Sequence, residues 1–72
     1  MKEHDLVVLE KDISEYGLKK GDVGAIVHIY KKPNAFEVEF CSADGHTIAL
    51  MTLNKDDLRN FESKEILHAR AV

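Results

Sequence analysis

The chain has 72 residues, of which 44% are hydrophobic and 32% charged, with a formal net charge of −3 and one cysteine. A domain of this size buries only about 60% of the surface its unfolded chain exposes, so a deep substrate cleft beside a second domain is excluded. The acidic balance argues against a general nucleic-acid binder, which needs a basic face, and a lone cysteine excludes an intramolecular disulfide framework.

Met1 to Asp5 is charged and shows no signal-peptide pattern, and no apolar run approaches bilayer-spanning length, so the expected setting is cytoplasmic and reducing. Leu6 to Leu9 is a short apolar run that reads as the first strand. Glu10 to Lys20 is a longer polar connection whose Ile13, Tyr16 and Leu18 are expected to plug one end of the fold. Gly21-Asp22 signals a turn, and Val23 to Tyr30 reads as the second strand. Phe36 to Cys41 alternates strictly, with Phe36, Val38 and Phe40 on one face and Glu37, Glu39 and Cys41 on the other. Thr47 to Leu53 follows as a fourth strand. Asn54 reads as a helix N-cap with Asp56 and Asp57 in the first turn, ending near Leu58 before a last strand around Arg59 to Phe61. Five short strands, a long first loop and a one-turn helix before the last strand predict an all-β, SH3-like five-stranded barrel. The expected division is 1–62 for the barrel and 63–72 for a C-terminal tail or short helix packed on it.

Strand registers follow from the alternation. A four-residue loop at Lys31 to Asn34 pairs Tyr30 with Ala35 and turns Ile29, Val27 and Ala25 inward beside Phe36, Val38 and Phe40. Ile26, His28 and Tyr30 then face outward, with His28 opposite Glu37 and Ile26 opposite Glu39. Asp44-Gly45 suits a two-residue turn pairing Ala43 with His46. That register turns Ala49, Met51 and Leu53 inward and Ile48, Leu50 and Thr52 outward. The outer face would thus carry Ile26, His28, Tyr30, Ile48 and Leu50, which is more apolar than a solvated sheet face should be. Either the C-terminal Ile66, Leu67 and Val72 cover it, or another chain does, or the register is off by one residue.

The stretch Gly17-Leu18-Lys19-Lys20-Gly21-Asp22-Val23-Gly24-Ala25-Ile26-Val27 carries a family resemblance, together with Val7-Val8-Leu9 before it and Phe36 to Phe40, Ala43-Asp44-Gly45 and Thr47 to Leu50 after it. Over roughly Leu6 to Arg59 the chain resembles a bacterial family of small proteins known as domain of unknown function forty-nine twenty-six. The resemblance implies an SH3-like barrel with no assigned activity, and accessory or antitoxin-like small proteins rather than enzymes. The Leu-x-x-Gly-Asp-x-Gly-x-Ile-Val pattern is also similar to that of KOW-like and nitrile-hydratase-accessory barrels.

No residue set carries a catalytic or metal signal. The glycine-rich loop with Lys19 and Lys20 lacks phosphate-loop spacing and has no helix after it. His4, His28, His46 and His68 show no metal-ligand spacing, and Cys41 has acidic neighbours that disfavour a thiolate. Glu37 and Glu39 lie about 7 Å apart along one strand face, without the cleft an acid–base pair needs. The expectation is therefore a non-enzymatic protein-interaction or accessory module with no cofactor or metal. It would bind a second copy or the product of an adjacent gene through Ile26, His28, Tyr30, Ile48 and Leu50. The alternative is a KOW-like nucleic-acid or ribosome-associated module using Tyr16, Lys19, Lys20, Lys31 and Lys32.

Overall fold

Alternating β-formers and charged residues make strands, and frequent turn residues keep them short. The computed structural model describes residues 1–31 and 35–62. The strands are β1 (Leu6–Leu9), β2 (Val23–Ile29), β3 (Ala35–Cys41), β4 (Thr47–Asn54) and β5 (Leu58–Asn60). Every pairing is antiparallel, in the order β4-β3-β2-β1-β5. The expected all-β class and all five strands are present. Among the described residues β4 and β5 do not pair, so the sheet is open and "barrel" describes its curl rather than a closed ring. Also among the described residues, no helix is long and apolar enough to cross a membrane. The expected C-terminal tail at 63–72 lies outside the described residues.

The core lies on one face of the sheet. Val7 and Leu9 come from β1, Ile26 from β2, Phe36, Val38 and Phe40 from β3, and Ala49 and Leu53 from β4. The first loop adds a bridge between Ile13 and Leu18 around a 3-10 turn at Ser14–Tyr16. Leu18 is buried and Ile13 packs on the core, as expected of plugs, whereas Tyr16 stays exposed.

Two bulges set which side chains reach that core, and both depart from simple alternation. The β2–β3 hairpin follows the expected register through Ile29↔Phe36 and His28↔Glu37, then shifts by one residue to Ile26↔Val38 and Ala25↔Glu39. Val27 is the extra residue and is 38% exposed, while Ile26 is completely buried. The expectation that Ile26 faces outward and that Val27 and Ala25 face inward is therefore corrected. The reason lies in the layer that Phe40 occupies. A Cβ built on Gly24 would sit 2.8 Å from Phe40 Cε1 and 2.8 Å from Val38 Cγ1, so the place beside that ring admits no side chain. The bulge delivers Gly24 to this position and Ile26 to the next, at the cost of one unpaired residue.

At the other hairpin two irregularities cancel. The turn spans three residues, Ala43-Asp44-Gly45, because Ser42 N–H donates to His46 O at 2.8 Å and Gly45 N–H to Ser42 O at 3.0 Å. Gly45 takes φ +89°, the left-handed residue that such a loop requires. This pairs Cys41 with Thr47 rather than with Ile48, and a bulge at Ile48 restores Phe40↔Ala49. The expected inward set of Ala49, Met51 and Leu53 is kept. Ile48 is the exception: as the extra residue it packs against the core instead of standing on the outer face.

The first loop is tied to the turn before β5. Asp57 anchors this turn: its Oδ2 accepts Asn54 N–H at 3.0 Å, its Oδ1 meets Lys11 Nζ at 3.0 Å, and its carbonyl accepts Glu10 N–H at 2.8 Å. Partial burial pushes its carboxyl up, but the Asn54 amide and the Lys11 ammonium outweigh this and hold it below the ordinary 3.8. A carboxyl held lower in the folded than in the unfolded chain stabilises the fold above about pH 4 and loses that contribution as pH falls through the folded value. Asp57→Asn is expected to cost about 1 kcal/mol at neutral pH, the scale of a lost capping interaction. Urea unfolding of the two proteins at pH 7 and pH 3 checks this, with the difference narrowing at the lower pH.

Candidate functional site

The face opposite the core is assembled from residues that cross-strand pairing places side by side. One row runs Leu6, Ala25, Glu39, Leu50 across four strands, and the next runs His28, Glu37, Thr52 across three. Two glutamates therefore occupy the middle of the face, both half-buried. Each is engaged by hydroxyls. Glu37 Oε1 accepts the Tyr30 hydroxyl at 2.9 Å and the Thr52 hydroxyl at 2.7 Å, and Glu39 Oε2 accepts the Thr47 hydroxyl at 2.6 Å. The His28 ring meets Tyr30 edge-on, with centroids 4.8 Å apart and planes at 81°. No Lys, Arg or His nitrogen pairs with either glutamate among the described residues. The hydroxyls fix the carboxylates in place, and no cation of the described residues compensates their charge.

Apolar groups flank this acidic centre. Leu50 is 53% exposed and Tyr30 40%, and Leu6 and the bulged Val27 are exposed as well. Of the five residues expected to form the binding face, His28, Tyr30 and Leu50 are on it. Ile26 and Ile48 are withdrawn toward the core by the two bulges. Thr47 and Leu6 were missed by the sequence reading, which placed Thr52, Glu37 and Glu39 on this face but gave them no part in the site. The period-two pattern does place Thr52 outside, but nothing local tells that its hydroxyl meets Glu37.

The residues of the nucleic-acid alternative are scattered. Tyr16, Lys19 and Lys20 belong to the first loop and Lys31 follows β2, and all four are exposed. Lys32 lies outside the described residues. The two lysine groups are separated by the length of β2, about 23 Å for seven residues. Backbone N–H groups of Lys19 and Lys20 donate to Asp22 and Asp12 at 2.9 and 2.8 Å, so carboxylates sit among them.

Other polar clusters are local. In the β3–β4 turn, Ser42 Oγ donates to the Asp44 carboxylate, which also meets His46 Nδ1 at 2.9 Å; these bonds hold Asp44 below the ordinary carboxylate range. Cys41 is free and exposed. Among the described residues no three His, Cys, Asp or Glu side chains converge as a metal site.

A family model described as domain of unknown function (DUF4926) matches residues 3–60, a span that contains all five strands. The chain belongs to this family. No curated protein and no solved structure matches it. The DUF4926 span takes in both faces of the sheet and the first loop, so the glutamate-centred face is part of the family domain itself. The family description names no activity, and a role for the face has to be argued from its geometry.

Proposed function

We propose that this DUF4926 domain is a non-enzymatic protein-interaction or accessory module of the bacterial cytoplasm, docking a partner on the outer face of β2–β3–β4. The observation that carries this reading is the Glu37–Glu39 pair, held by hydroxyls, without a cation among the described residues, and bordered by exposed Leu50, Tyr30 and Val27. A half-buried carboxylate pair gains from a Lys or Arg delivered by another molecule, because covering the pair removes water and strengthens the attraction. The apolar border supplies the area that such a contact buries. The face is a sheet surface rather than a cleft, so it suits docking better than reaction chemistry. The product of an adjacent gene, as in an antitoxin-like pair, is the partner that best fits a chain of this size.

The test uses Tyr30→Ala and Glu37→Lys, two changes at exposed or half-buried positions outside the core. Both variants are expected to keep their urea midpoint within the range of surface substitutions, about 0.5 kcal/mol. Each is expected to bind the captured partner at least ten-fold more weakly, with the wild-type interaction weakening as salt rises. Equal affinity of wild type and both variants for every captured protein refutes the proposal.

A further inference from the structure

The sheet has two edges, and they are protected very differently. β5 is three residues long and carries Arg59, which pairs with Glu10 at 3.5 Å. Shortness and charge are the usual means of blunting an edge. β4 has eight residues, Thr-Ile-Ala-Leu-Met-Thr-Leu-Asn, with no charge and no proline. Its only interruption is the bulge at Ile48, which leaves Ala49 to Asn54 regular. Among the described residues β4 pairs with β3 alone. The first loop passes near this edge without covering it: an open groove of about 680 Å³ separates Ile13 and Tyr16 from Met51 and Leu53. An uncharged edge of this length, unpaired by any of the described residues, offers a row of backbone donors and acceptors that another strand can complete.

We infer that the β4 edge pairs antiparallel with β4 of a second copy, about a two-fold axis near Met51. This goes beyond the docking reading above, since it concerns the edge of the sheet rather than its face. Self-pairing suits this strand because a two-fold brings β4 only its own residues. None is charged, so no like-charge pair arises within the regular segment, although the chain as a whole carries −3. Leu50, the most exposed large hydrophobic among the described residues, comes to lie beside Thr52 of the second copy. The Ala49 end of each strand comes to lie beside the other copy's Leu53, at the groove whose far wall carries Lys11, Asp12 and Glu15 of the first loop. One contact thereby removes both β4 edges and, among the described strands, leaves the short β5 edges at the two ends of the joined sheet. The two glutamate-centred faces become neighbours on one continuous surface.

Light scattering over a concentration series up to about 1 mM tests the inference. The wild-type chain is expected to dimerise, and Leu50→Lys, which places a charge on an already exposed edge position, to shift the midpoint at least ten-fold toward monomer with an unchanged circular dichroism spectrum. Tyr30→Ala is expected to dimerise like the wild type, which separates this interface from the docking face. A second readout covers the geometry. Mixed under oxidising conditions, Leu50→Cys and Thr52→Cys chains, each also carrying Cys41→Ser, should form a disulfide-linked heterodimer in preference to either homodimer. A wild-type chain that stays monomeric throughout, or a Leu50→Lys dimer of undiminished affinity, overturns the inference; in the first case the edge is left for a strand of another protein.

Discussion

Phe40→Ala is expected to leave the chain largely unfolded at 25 °C. The ring is 2% exposed and has small neighbours in the sheet, Ala49 opposite it on β4 and Gly24 on β2. Neither of these two neighbours has a side chain long enough to collapse into the space it would vacate. Phenylalanine-to-alanine truncations in a core cost about 3–5 kcal/mol. A single core in a chain below about 70–80 residues rarely supplies more than about 3–5 kcal/mol in total. The two quantities are equal in size, and the native baseline should be lost or nearly lost in urea denaturation followed by circular dichroism. A variant that unfolds cooperatively with a loss below about 1 kcal/mol would place Phe40 outside the main core.

Gly24→Ala is expected to destabilise by about 1–3 kcal/mol, the range for overpacking a filled interior. The sign is the informative part. In an ordinary strand the exchange stabilises, because glycine is worse than alanine by roughly 0.5–1 kcal/mol. Here the added methyl group arrives 2.8 Å from Phe40 Cε1 and Val38 Cγ1, both on side chains sealed in the core and unable to turn aside. The two predictions are coupled through one contact. Combining Gly24→Ala with Phe40→Leu should therefore cost less than the sum of the single changes, with an interaction energy of about 0.5–3 kcal/mol. Additive losses would mean that the ring and the glycine do not meet.

The strands were legible because their determinants are local. The alternation from Phe36 to Cys41, the apolar run Leu6 to Leu9 and the Asn54-x-x-Asp57 spacing each declare an element within a few residues. The bulges were not legible, since Val27 and Ile48 are β-branched residues like their neighbours and nothing in their own chemistry sets them apart. What places a bulge is a demand from across the sheet: Phe40 needs a residue without a side chain opposite it, and only a one-residue shift supplies Gly24. A glycine inside a strand is the one local sign of such an approach. Gly24 marks a close approach or a bulge in the sequence, but alternation alone does not say that the shift turns Ile26 inward. The consequence for the candidate site is substantial. Simple alternation put Ile26 and Ile48 on the outer face and made it an apolar patch, whereas both belong with the core. The face that remains is acidic at its centre and apolar only at its border. Its hydroxyl-held glutamates depend on side-chain conformations that alternation does not encode.

The most direct measurement of the docking claim is backbone amide exchange on the isotope-labelled chain, alone and with its captured partner. Slowed exchange and shifted resonances should fall on Val27 to Tyr30, Glu37 to Glu39 and Leu50 to Thr52, with the first loop unchanged. Changes confined to Lys11 to Lys20 and Lys31 would contradict the account and move the binding surface to the lysine-bearing ends of β2.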